Sequence, residues 1–517
     1  MAEPAYTNDL TTIVDFDGTP SSPSVSEPSS GWTAGRSPAV DTDFPIQGTN
    51  HCSLIMNTTG KAGVLCSNGD SFSWTSGDYL FGWIVWLAPG AIAERSSGGL
   101  AMLCGSSISA YKVFYVGGKT YGAYPYGGWQ NFAVDPEMTY DEVVGSPSAY
   151  NIVGGGANVL SSVSKGAPLG FDVFRYGRGI FYIDGGESGD YANFTDMAEA
   201  NDNTTARWGL FQSIAGGFKQ KGILSFGENS LCEFVDSNKA IVIDDSIYVA
   251  SDFNRIEIHN TSSIISWTNC SISSLCAISL GQFEMIDNAT VTFYSCLFKD
   301  MDTFIFQSNA VISGCTFLRC GKVTQGGASM TGLTFSASTG TAALVVNSIS
   351  NISKCNFISA GTGYAIEGFS AAGDYTITDV TFTGYAGSDG STGNETIHVL
   401  ATSGIVNINI SGGTTPTIHT AGATVNVIIP ETTLTLTGMQ TESDISILTA
   451  GTTTERVNVQ ENSGTSYPYN YSYAENDYID IGVFKAGYIP FYIRNYLLGN
   501  TNSSIPISQV IDRAYLE

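Results

Sequence analysis

Between residues 264 and 429 one short phrase returns with variations: Cys270-Ser-Ile272, Cys296-Leu-Phe298, Cys315-Thr-Phe317, Leu333-Thr-Phe335, Cys355-Asn-Phe357, Val380-Thr-Phe382 and Ile408-Asn-Ile410. Each copy sets two apolar side chains two residues apart, which on a strand puts both on one face, and the copies recur every ~18 to 28 residues. A period of this length suits one coil of a right-handed parallel β-helix, whose coils bury their apolar faces only by stacking. The expectation is a ladder of Cys270, Cys296, Cys315 and Cys355 beside a second ladder of Phe298, Phe317, Phe335, Phe357 and Phe382. Turn-formers separate the copies, as at Gly326-Gly327, Gly361-Thr-Gly363 and Ser388-Asp-Gly390. An antiparallel sandwich is the competing reading, and the repeated Cys phrase decides against it.

The flanking segments have other patterns. Residues 1–47, rich in Pro, Ser, Gly and Asp, read as an arm or linker with one strand near Leu10 to Phe16. Asp15 with Asp17, and Asp41 with Asp43, read as solvated turns because a calcium loop needs more oxygen ligands at regular spacing. Residues 48–227 carry longer, aromatic-rich strands such as Tyr79-Leu-Phe-Gly-Trp-Ile-Val-Trp86, parted by Gly-rich turns, and read as an antiparallel sandwich. A short helix is expected around Phe194 to Asn201. The parallel coils are assigned to 228–430. Strict alternation after Pro430, as in Thr433-Leu-Thr-Leu-Thr437 and Tyr478-Ile-Asp-Ile481, makes 431–517 a small antiparallel sandwich, with the apolar end near Ile505 docking on it or on a partner subunit. The fold class is thus all-β.

Composition narrows the function. Acidic residues outnumber basic ones 47 to 21, a formal net charge of −26, which disfavours nucleic acid and anionic membranes as partners. No apolar run is long enough to span a bilayer, and the start has no signal-peptide pattern. The ten cysteines sit mostly in apolar strand patterns and read as free core thiols. No cofactor motif and no metal spacing is expected.

Two constellations carry chemistry. Glu367, Asp379 and Glu395, with Arg319 or His398 near, are the weak catalytic candidates, since carbohydrate hydrolysis needs paired carboxyl groups. Solvated turn residues are the competing account. Tyr121, Tyr124, Tyr126 and Trp129, interleaved with Gly and Pro, read either as a stacking surface for a sugar ring or as loop packing.

The strand pattern of 48–227 resembles the jelly roll of concanavalin-like and laminin G-like domains. The whole succession of arm, jelly roll, coils and terminal sandwich, together with phrases such as Gly128-Trp-Gln-Asn-Phe-Ala-Val-Asp-Pro136, resembles virion structural proteins of tailed bacteriophages. That resemblance implies a tail fibre, tailspike or capsid decoration. It implies a homotrimer made in the host cytoplasm, bound to other virion proteins and attached to a host-surface glycan. A polysaccharide-degrading tailspike using carboxylates on the β-helix is the alternative, and a bacterial surface adhesin a third reading. The thin set of acids and bases weighs toward a protein that is not an enzyme.

Overall fold

The computed structural model describes all residues other than 1–4, 19–23, 34–35, 56–57, 68–74, 87–88, 120–127, 161–168, 185–193, 203–206, 228–230, 235–238, 244–247, 251–252, 275–280, 391, 430, 474–475 and 513–517. It is an all-β protein with large parallel sheets. The chain divides into two compact units, one of residues 1–311 and 315–321, the other of 312–314 and 322–517.

The first unit opens with two antiparallel sheets. One runs in the order Gln130–Val134, Tyr79–Trp86, Leu169–Gly177, His51–Ile55, Arg36–Asp41; the other in the order Glu142–Val144, Ala110–Gly117, Leu100–Ser107, Ile152–Val159, Gly60–Ser67, Ser24–Ser26. Leu80, Ile84, Phe171 and Phe174 of the first sheet share one buried core with Val64, Met102, Phe114 and Val153 of the second. Tyr79–Trp86 is buried along its whole length, as its near-continuous apolar run requires. The segment 1–47 is not a free arm. Ala5–Asn8, Thr11–Val14, Ser24–Ser26 and Arg36–Asp41 all pair with strands of this unit, and Trp32 is fully buried with its Nε1–H on Glu142. The reason is the apolar residues set among the Pro and Ser: Ile13, Val14 and Phe16 join the core. The acidic pairs there tie loops together. Asp15 Oδ1 accepts from the backbone of Asp17 and Gly18, and Asp17 Oδ1 from the backbone of Thr49 and Asn50. The expected helix is present at Phe194–Asn201.

In the same unit parallel pairing begins at Ile180–Asp184, ahead of residue 228. That strand is followed in one column by Ile223–Phe226, Arg255–Ile258, Gln282–Met285 and Thr303–Ile305. A second column stacks Gly217–Gln220, Ala240–Ile243, Ser271–Ser274, Leu297–Lys299 and Thr316–Leu318, and a third stacks Leu231–Phe234, Ile264–Thr268 and Thr290–Tyr294. Phe298 lies on Phe317 at 5.0 Å between ring centres.

The Cys of the phrase has a local cause. The residue before it is left-handed: φ is 54° at Asn269, Ser295 and Lys354, and glycine takes the place at Gly314 and Gly332. The thiol bridges that corner, donating to the carbonyl two residues back: Cys270 to Thr268, Cys296 to Tyr294 and Cys355 to Ser353. The corner amides are satisfied by the next coil, as Asn269 N–H donates to Tyr294 O and Lys354 N–H to Thr378 O. A small side chain with a weak donor fits there, and burial pushes the Cys355 thiol up to about 11. The eight cysteines whose side chains are described are buried, and none of them is in a disulfide.

The second unit continues the same local rules. Lys322–Thr324, Ala342–Val345, Tyr364–Gly368, Ile397–Val399 and Ile418–Thr420 form one set of parallel strands, with Val323 in register with Leu344 and Ile366 with Ile397 and Ile418. Phe335, Phe357 and Phe382 stack at 4.7 and 5.7 Å. One copy of the phrase was misplaced in the sequence reading: Ile408 and Ile410 are in register with Tyr375 and Ile377, whereas Val380 faces Gly413. Gly373–Thr383 is a single strand of 11 residues that bends through Asp379, φ 52°, so it serves two columns at once.

Two sheets close this unit, Ser466–Ser472 with Glu431–Thr437 and Ser503–Pro506, and Glu455–Asn462 with Ser443–Thr449, Tyr478–Phe484 and Phe491–Leu497. Pairing is antiparallel except between Glu431–Thr437 and Ser503–Pro506, which is parallel. The apolar end docks on this domain, since Ile505 and Ile507 enter its core with Leu434, Ile447 and Ile481.

Candidate functional site

The register of three neighbouring strands in the second unit assembles the site. Ile366, Ile397 and Ile418 point inward and are buried, so the next residue on each strand points outward, and these three are Glu367, His398 and His419, side by side. His398 Nδ1 lies 2.9 Å from Glu367 Oε2. An ionised carboxylate only accepts, so Nδ1 carries the proton. His398 also stacks on Tyr364 at 4.6 Å and stands edge-on to His419 at 4.9 Å, while Tyr364 and His419 are 5.5 Å apart.

Glu395 lies beneath this group. Its side chain is fully buried; Oε1 accepts from the Thr392 amide and hydroxyl at 2.9 and 2.8 Å, and Oε2 from the Gly393 amide at 3.1 Å. Burial pushes the carboxyl up, but the Thr392 and Gly393 donors outweigh it and hold Glu395 below the usual carboxylate range. Oε2 is also 3.7 Å from His419 Nδ1, a buried atom that makes no hydrogen bond. Burial, and then the charges of Glu395 and Glu367, push the Tyr364 hydroxyl up, so it stays protonated.

Tyr364 forms one wall of an open pocket of about 320 Å³, completed by Thr339, Gly340, Thr341, Thr362, Gly363 and Gly393. The backbones crowd here: a Cβ on Gly363, φ +77°, would sit 2.7 Å from Gly340 O. The lining is hydroxyls, peptide groups and one aromatic ring, a set that suits a polyol.

The other expected site residues lie elsewhere. Asp379 sits at its left-handed corner with Oδ1 accepting from Asn500 Nδ2 at 3.1 Å, and does not join Glu367 and Glu395. Arg319 makes a two-pronged pair with Asp300 at 2.7 and 2.8 Å in the first unit. Trp129 is half-buried, donating from Nε1 to Phe44 O at 2.9 Å and meeting His51 edge-on at 5.7 Å, so it packs a loop. Tyr121, Tyr124 and Tyr126 lie outside the described residues.

A second pair escaped the sequence reading. In the first unit Glu257 is in register with Glu284 on the adjacent parallel strand, both on the face opposite buried Ile256, Ile258, Phe283 and Met285. Arg255 Nε and His259 Nε2 each approach Glu257 to 2.7 Å. Among the described residues no three His, Cys, Asp or Glu side chains converge as a metal cage, and no helix is long and apolar enough to cross a membrane.

No protein-family model matches the chain, and no curated protein matches it. Among solved structures, the CBM22-1–GH10 modules of xylanase 10B from Clostridium thermocellum, complexed with xylohexaose, align at 13% identity over 48% of this chain and 37% of theirs, with a TM-score of 0.18. The catalytic domain of a GH87 α-1,3-glucanase in complex with nigerose aligns at 10% identity over 81% of this chain and 88% of its own, with a TM-score of 0.17. The chain therefore spans little more than a third of the xylanase it matches, and likenesses at these scores carry no argument about fold or activity.

Proposed function

We propose that this chain is a structural protein of a tailed-phage virion, of fibre, spike or decoration type, that contacts neutral glycan at the pocket beside Tyr364. In this reading the antiparallel part of the first unit is a jelly roll of concanavalin or laminin G type. The stacked parallel columns are a right-handed β-helix and residues 431–517 a terminal sandwich. The assembled form is a homotrimer made in the host cytoplasm and bound to other virion proteins.

One observation carries the binding reading over hydrolysis. Of the three candidate carboxylates, Glu395 is enclosed by its own turn and Asp379 is tied to Asn500, which leaves Glu367 alone beside the pocket. A single carboxylate with a hydroxyl-lined wall and an aromatic ring holds a sugar but lacks the paired acid and base of glycoside cleavage. Glu367 and the formal charge of −26 disfavour uronic and sialic acids, hence the neutral glycan. Titration with neutral oligosaccharides by saturation-transfer NMR tests this. Tyr364→Ala is expected to weaken binding at least about tenfold, the stacking contribution of one ring. Equal binding by the variant overturns the assignment.

The depolymerase reading is favoured by the other pair. Glu257 and Glu284 are in register on adjacent parallel strands and share one face, which is the kind of paired carboxyl arrangement that glycoside hydrolysis needs. Arg255 and His259 hold Glu257 in place by ion pairs, so in this reading Glu257 is the nucleophile and Glu284 the acid. Release of reducing ends from polysaccharide, abolished by Glu284→Gln, would establish it; no release from any glycan that the protein binds would remove it.

A further inference from the structure

We infer that His398 and His419 form a two-imidazole site for a borderline divalent ion such as Cu2+, Zn2+ or Ni2+, with Glu367 and Glu395 as the carboxylates behind them. The first ground is placement. The two histidines are in direct register on adjacent parallel strands and leave the sheet on the same face, fixed by the buried Ile397 and Ile418 beside them.

The second ground is which nitrogen is left over. His398 turns Nδ1 onto Glu367 Oε2 at 2.9 Å, and His419 turns Nδ1 toward Glu395 Oε2 at 3.7 Å. In His398 the proton held at Nδ1 leaves the lone pair on Nε2, away from the carboxylate, and in His419 Nε2 is likewise the nitrogen on the side of the ring away from Glu395. Carboxylates backing imidazoles in this way fix ring orientation and raise ligand basicity at metal sites. The donors of Thr392 and Gly393 account for the burial of Glu395, and they leave its Oε2 facing a histidine nitrogen that makes no hydrogen bond.

The third ground is size. An imidazole bound at about 2.1 Å has its ring centre about 3.2 Å from the ion, so two rings at right or tetrahedral angles stand roughly 4.5 to 5.2 Å apart. The His398 and His419 rings are 4.9 Å apart. Two neutral nitrogens and no thiolate favour Cu2+, Zn2+ or Ni2+ over Mg2+ and Ca2+. Both side chains are about one-fifth exposed, so an ion has access and keeps open positions for water or a ligand.

Titration of the full chain with CuCl2, read by electron paramagnetic resonance, tests the inference, with ZnCl2 calorimetry beside it. One equivalent is expected to bind with hyperfine splitting from two imidazole nitrogens. His398→Gln and His419→Gln are each expected to remove that signature, Glu395→Gln to weaken binding about 10- to 100-fold, and His259→Gln to change nothing. A wild-type protein without the two-nitrogen signal overturns the inference whether or not the variants fold, as does a signal that survives His398→Gln or disappears with His259→Gln.

Discussion

Glu395 shows how one side chain can look catalytic in a sequence and be structural in the fold. Three donors from Thr392 and Gly393 close a turn on its carboxylate, and that turn supports the histidine layer above. Because its folded value lies below the ordinary 4.5, its stabilising contribution is complete above that pH and is lost as pH falls through the lower folded value. Glu395→Gln therefore has a defined signature. At neutral pH the variant is expected to be less stable by about 1 to 3 kcal/mol, the range for charge-assisted hydrogen bonds. Below about pH 4.5 the gap narrows, because wild type alone then loses this carboxylate. Thermal unfolding across that range checks it, and a constant gap would contradict the assignment. The residues of the site were partly legible: Glu367, Glu395 and His398 were grouped as candidates, but with Asp379 and Arg319, which lie elsewhere, and without His419. His398 is 31 residues beyond Glu367, longer than the ~18 to 28 residues between copies of the phrase, so only the strand register brings them together. Glu257 and Glu284 were missed for the same reason.

At the scale of elements the repeat was readable because its two constraints are local. A left-handed corner followed by a small or apolar side chain, most often a thiol, and a central apolar residue, most often aromatic, flanked by polar ones recur from coil to coil. What the phrase did not reveal is where a strand passes through a corner without ending. Gly373–Thr383 does so at Asp379, and that shifts Ile408 and Ile410 into the neighbouring column. The aromatic column sets the energetics of the stack. Phe357 is fully buried between Phe335 and Phe382, with centre distances of 4.7 and 5.7 Å. Phe357→Ala is expected to cost about 3 to 5 kcal/mol, since a ring is lost and the coils above and below cannot close on the gap. Phe357→Leu should recover much of that. Denaturant unfolding measures both, and a loss under about 1 kcal/mol would show that this column does not bear the stability.

For the whole molecule, segment patterns set the all-β fold class, and the segment 1–47 was the main misreading. Its Pro and Ser content suggested an arm, while Trp32, Ile13 and Val14 place it in the sandwich core. Composition averaged over fifty residues hides a few buried side chains. The formal charge of −26 disfavours anionic partners such as nucleic acid. Electron microscopy of the purified chain beside phage particles from the culture that produces it is the most direct measurement of the central proposal. The account predicts a trimeric rod seen again on the particle, at the tail or over the capsid, and labelled there by antibody to this chain. A monomer absent from every particle would contradict it.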